Sequence, residues 1–145
     1  MEWQQENSLN DGAKRTVVKS ALRIVGDDFA PNQISEILQV VPSKTWKKGE
    51  KIRNTGHAYQ FSAWIYETDV SESLSLAYLA KQLQSVFVTK VEQLCDLKKE
   101  LNLDFCIDFV VVVEDCTPPS MHFDSEFLDF AVRIGAEIDI DTYVN

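Results

Sequence analysis

The segment Lys44-Thr45-Trp46-Lys47-Lys48-Gly49-Glu50-Lys51-Ile52-Arg53 sets five basic side chains around one tryptophan. Cations beside an aromatic plane can hold an anion through charge and stacking together. Trp46, Lys47 and Lys48, joined by Trp64 from the aromatic run Tyr59 to Glu67, therefore form one candidate ligand site, with the tryptophans as walls and a lysine on the anion. The bland alternative is an edge strand with Trp46 packed inward and the lysines in water. Near the other end of the chain, Asp108, Glu114, Asp115, Asp139 and Asp141 put carboxylates on or beside strand-like stretches, and these are the candidates for contact with a basic partner. A solvated sheet face is the alternative there, because exposed carboxylates need no function.

Residues suited to catalysis are sparse. The chain has no Gly-rich phosphate loop, no Gly-x-Ser-x-Gly elbow and no His-Glu-x-x-His. Its two histidines, His57 and His122, fall in connections and belong to no ligand-spaced set. Asp27-Asp28 and Glu114-Asp115 offer adjacent carboxylates, but neighbouring side chains on a strand point apart, and turn chemistry accounts for Asp27-Asp28. Cys95, Cys106 and Cys116 are an odd set without a Cys-x-x-Cys, which argues for reduced thiols rather than a disulfide framework or a metal site. Cys116, beside Thr117-Pro118-Pro119, should be the most exposed, yet no basic residue lies near it in sequence to lower its pKa. No catalytic residue, metal or cofactor is expected.

Charge is distributed unevenly. Residues 1–101 hold thirteen acidic and thirteen basic side chains, whereas residues 102–145 hold ten acidic ones against Arg133 alone, so the last third carries the whole net charge of −9. Such a field repels nucleic acid and anionic membrane and attracts a basic protein. The first residues, Met1 to Asn7, lack the basic start and apolar stretch of a secretory signal, and the longest apolar run, Phe109 to Val113, is far short of the about 20 residues of a spanning helix. A soluble, cytoplasmic protein is expected.

The elements that must position these residues follow from periodicity. Residues 1–13 read as a loose polar arm, and residues 14–145 as one domain. Thr16 to Val25 alternates, with Val18, Leu22 and Ile24 opposite Lys19, Ala21 and Arg23, as in a half-buried strand. After Gly26-Asp27-Asp28, Pro31 should open a helix through Ile34, Ile37, Leu38 and Val41 that Pro42 stops, with Phe29 as a hydrophobic staple on Ile34. Ser43 to Arg53 and Tyr59 to Glu67 read as a long-looped hairpin. Leucines from Leu76 to Leu101 mark helix, with Val86-Phe87-Val88-Thr89 as a weak point that leaves one helix or two open. Leu103 to Glu114 is the strongest strand pattern and should be central. Asp124 should cap a helix that Gly135 ends, and Ile138 to Val144 should form a last strand with Asp139 and Asp141 on its polar face.

This order implies an α+β fold, a single mainly antiparallel sheet with helices on one face in a ferredoxin-like arrangement. The other face would be polar, so that Lys19 and Arg23 could pair there with Asp108, Asp139 and Asp141. Leu22-Arg23-Ile24-Val25-Gly26-Asp27-Asp28-Phe29-Ala30-Pro31, Ile34-Ser35-Glu36-Ile37-Leu38, Pro42-Ser43-Lys44-Thr45-Trp46-Lys47-Lys48-Gly49 and Trp64 together resemble a family of small, mostly bacterial proteins known as a domain of unknown function (4279). That resemblance spans about residues 16–144 and implies a shared fold, but it brings no reaction, cofactor or site residue. The leading expectation is a non-enzymatic binding protein, most concretely an immunity-type inhibitor whose acidic C-terminal part faces a basic toxin. The competing one is a sensor or enzyme binding a small molecule or anion near Trp46 and Trp64. A homodimer through the open sheet face is a third.

Overall fold

In the computed structural model, which describes residues 14–145, the first alternating run becomes β1 (Val17–Gly26). The arm expected over residues 1–13 lies outside the described residues. β1 is the middle strand of a five-stranded sheet in the order β2-β3-β1-β4-β5, with β2 at Lys44–Trp46, β3 at Ser62–Glu67, β4 at Asp104–Val113 and β5 at Ala136–Val144. β1 runs antiparallel to β3 and β4, β2 antiparallel to β3, and β5 parallel to β4. A parallel pair needs a crossover, and α4 (Ser125–Ile134) supplies it. With α1 (Pro31–Leu38), α2 (Leu76–Phe87) and α3 (Val91–Leu101) this is an α+β fold. β4 is interior but not the middle strand, because β1 takes that position.

Register decides what each sheet face carries. Leu22 lies opposite Tyr66 and Ile107, and Ile24 opposite Trp64 and Phe105, so these side chains share one face. They enter a single core with Phe109, Val111 and the inward residues Ile34 and Leu38 of α1, Leu79 and Leu83 of α2, Leu94 and Leu97 of α3, and Phe127 and Phe130 of α4. Phe109 lies 5.0 Å from Phe123 and 6.1 Å from Phe127, ring centre to ring centre. Burying each such side chain contributes about 1.5–3 kcal/mol, which is why the apolar face must point this way.

Helix ends follow local chemistry with one correction. Asp124 accepts a hydrogen bond from the Phe127 N–H at 2.8 Å, and Gly135 closes α4 in the left-handed region at φ 69°. The stretch between Leu76 and Leu101 is two helices, joined by a 3-10 turn at Val88–Lys90 where the β-branched residues fall. α1, however, ends at Leu38 rather than at Pro42. Gln39 adopts φ 55° and its N–H bonds the Ser35 carbonyl, so the chain leaves the helix early and Val41 is 85% exposed instead of packed. Among the described residues no helix is long and apolar enough to cross a membrane.

Candidate functional site

The open face of the sheet is built from the residues between those that face the core. Lys19, Ala21 and Arg23 of β1 lie there beside Ile65 and Glu67 of β3 and beside Cys106, Asp108 and Val110 of β4. Parallel pairing sets Glu137, Asp139 and Asp141 of β5 against Cys106, Asp108 and Val110, which continues the face to the sheet edge. Ala21, Ile65 and Val112 are buried, because the long charged side chains around them cover small and branched neighbours.

Charges on this face are partly neutralised from within. Arg23 grips Asp108 with two bonds, Nε to Oδ2 at 2.7 Å and Nη2 to Oδ1 at 3.1 Å. The hydrogen bonding to Asp108 is the main reason that the guanidinium is held even more firmly protonated than usual, against the opposing effect of burial, with smaller help from the charges of Asp108, Cys106 and Asp139. Lys19 forms an ion pair with Glu67. Cys106 donates its thiol to Asp108 Oδ1 at 3.2 Å, and burial first, then this bond and the carboxylate charge, push its pKa up to about 12. At neutral pH it is a thiol and a poor nucleophile.

The acidic candidates therefore separate. Asp108 is half-buried and paired, and the Glu114 carboxylate accepts a hydrogen bond from the Asn145 side chain. Glu114 and Asp115 sit in the turn after β4, where Asp115 takes a left-handed φ of 55°. The Thr16 hydroxyl pins that turn, accepting from the Glu114 N–H at 2.9 Å and donating to the Thr117 carbonyl at 2.6 Å. Asp139 and Asp141 are exposed and form no ion pair among the described residues. Glu137 extends their row, a member that sequence reasoning missed because it began the last strand at Ile138. The signal was present: 137, 139 and 141 keep the period of two.

The second candidate region is arranged differently from its expectation. Trp46 lies opposite Ala63, and Thr45 opposite Trp64, so the two tryptophans occupy opposite faces of the sheet and cannot wall one pocket. Trp64 is fully buried in the core and donates its indole N–H to Ser35 Oγ at 2.9 Å. Trp46 stacks on Tyr59 at 4.6 Å and 13° and meets Phe61 edge-on at 5.8 Å, with its own N–H buried and without a partner among the described residues. Lys47 and Lys48 reach Asp28 and Asp27 at 2.7 and 3.1 Å. Sequence reasoning treated Asp27-Asp28 as turn residues and the lysines as free cations; folding joins them.

Two further residues lock this corner, Gly26, read from sequence only as part of a turn, and Ser62, which was not singled out. Ser62, at the start of β3, is fully buried, and its Oγ accepts from the N–H of Phe29 at 3.2 Å and of Lys48 at 3.0 Å. A Cβ on Gly26 would meet Leu103 Cδ2 at 2.8 Å and the Phe29 ring at 3.1 Å, so even alanine there would force buried side chains to shift where β1 ends over the core. A small serine within an aromatic run was the one available hint.

A cavity of about 400 Å³ opens where β1 ends and β4 begins, lined by Arg23, Lys98, Asp104, Phe105, Cys106 and Glu137 among others. Its cations are engaged, Arg23 by Asp108 and Lys98 by the Gly135 carbonyl at 2.6 Å. A second, of about 270 Å³, lies between Tyr66 to Asp69 and α2. Neither is lined by Trp46, Lys47, Lys48 or Trp64.

These features define an α+β domain whose last strand carries a row of exposed carboxylates, Glu137, Asp139 and Asp141, without an ion pair among the described residues. The chain belongs to the family described as a domain of unknown function, DUF4279, whose model matches residues 16–145. No curated protein and no solved structure matches it.

Proposed function

We propose that this domain is a non-enzymatic binding protein that presents its acidic C-terminal strand to a basic partner protein, most concretely as an immunity-type inhibitor covering a basic toxin. One observation carries the reading. Asp108 is paired by Arg23 on the sheet, and Asp27 and Asp28 by Lys48 and Lys47 at the surface, while Asp139 and Asp141 stay exposed without an ion pair among the described residues. Glu137, Asp139 and Asp141 thus make one edge of the open face uniformly negative. A one-signed edge steers an oppositely charged protein and raises its association rate, most strongly at low salt.

The test is capture from lysate of the native organism at low and moderate salt, with the wild-type domain and the Asp139→Lys/Asp141→Lys variant as parallel baits. The expected result is a basic protein held by the wild type, released as salt rises, and associating on the order of tenfold more slowly with the variant. Identical profiles from the two baits would remove β5 from any binding role.

A further inference from the structure

β5 is the last strand of the sheet, paired with β4 on one side and with no strand on the other among the described residues. An edge of nine residues presents a row of unpaired backbone N–H and C=O groups, a template for another strand. Sheets ordinarily protect such an edge with charged side chains, lysine above all, or with proline, a bulge or a covering segment, and the charges on β5 are all carboxylates, which repel an acidic strand but not a basic one. β5 contains no lysine and no proline, and its register with β4 runs without a bulge from Phe105 and Ala136 to Val113 and Val144.

The strand also differs between its two faces. Glu137, Asp139 and Asp141 project on the open face, whereas on the helix side Ile140 and Val144 are 36% and 71% exposed. α4, which packs against β5, leaves Leu128 and Val132 exposed four residues apart, on one side of the helix. Carboxylates above, apolar side chains exposed below and, among the described residues, an unpaired backbone edge between them specify a complementary chain.

From this we infer that β5 accepts an extended segment of the basic partner as a sixth strand, one in which lysine or arginine alternates with apolar residues. Backbone hydrogen bonds along the edge hold the segment, its cations lie beside Glu137, Asp139 and Asp141, and its apolar residues cover Ile140 and Val144. A second copy of this chain does not fit. Antiparallel pairing of β5 with itself, in a register that matches faces and uses most of the strand, sets carboxylates opposite carboxylates, and like charges directly opposite destabilise a sheet. The inference rests on the basic-partner reading and adds the mode of binding.

The experiment uses a synthetic peptide of alternating lysine and valine, a scrambled peptide of the same composition, and two versions of the first N-methylated at the lysines or at the valines. Binding to the wild-type domain is followed through backbone amide shifts and hydrogen exchange. Strand addition predicts affinity on the order of tenfold higher for the alternating peptide than for the scrambled one. It also predicts slowed exchange at alternate amides of residues 136–144, and loss of binding on methylating one set of residues, which reports strand direction. Equal binding of all four peptides, lost in the Asp139→Lys/Asp141→Lys variant, would overturn strand addition while leaving the charge-based reading in place. Failure of the alternating peptide to bind would also overturn it, and the parallel-bait capture would then decide separately whether a basic partner exists.

Discussion

Arg23 and Asp108 are joined by two hydrogen bonds at 2.7 and 3.1 Å across neighbouring strands, on the same face and two residue positions off direct opposition. The planar guanidinium fork can make this bidentate grip and a lysine cannot. Its effect reaches beyond the pair: it neutralises Asp108, whereas its neighbours Glu137, Asp139 and Asp141 on β5 have no ion pair among the described residues.

Breaking that grip should therefore be measurable in stability. With Arg23 37% and Asp108 21% exposed, solvent screens the pair in part, so its loss falls below that of a fully buried one. Arg23→Leu should destabilise by about 1–2 kcal/mol, because it strands a half-buried carboxylate. Asp108→Asn should do less, and urea denaturation of both singles and the double variant should give a coupling of about 0.5–1 kcal/mol. Additive losses would mean that the two side chains contribute independently.

Thiol chemistry offers a second check. Cys116 is exposed, whereas the Cys106 thiol is half-buried and bonded to Asp108. Iodoacetamide at pH 8 should label Cys116 well before Cys106, read by peptide mass. Because the folded state raises the Cys106 pKa from 9.0 to about 12, it keeps a proton that the unfolded chain gives up. That contribution to stability is complete below pH 9 and is lost as pH rises through about 12. The stability gap between wild type and Cys106→Ala should accordingly narrow between pH 9 and 12, and a gap independent of pH would contradict the assignment.

At the corner joining Asp27-Asp28 to Lys47-Lys48, the Lys47 hydrogen bond is the main cause holding the Asp28 carboxyl below its ordinary range, with the lysine charges adding to it. Lys47→Ala should return Asp28 toward the ordinary carboxylate range in an NMR titration, and Lys48→Ala should move it less. The sign for stability follows: the folded form favours the ionised carboxylate, so the contribution is present above the unfolded pKa and is lost as pH falls through the folded one. Lys47→Ala should thus flatten the acid limb of the stability curve. An unchanged Asp28 titration would show that the contact does not persist in solution.

The amino-acid sequence alone determined the local elements. Alternation located β1 and β4, Asp124 and Gly135 bounded α4, and the weak point at Val86-Phe87-Val88-Thr89, which left one helix or two open, coincides with the division of the long helical stretch. Each of these depends on neighbours within one or two turns, so a short window holds the information. The same windows placed Asp139 and Asp141 together on the polar side of a strand. Tertiary structure decided the rest. Register put Trp46 and Trp64 on opposite faces, long-range pairing brought Lys47 and Lys48 onto Asp28 and Asp27, and the parallel docking of β5 beside β4 made the acidic strand an edge. Those outcomes depend on which strands lie side by side and on their offset. Burial of a shared apolar face across the whole chain fixes both, and a one-residue slip would turn every side chain of a strand to the other side.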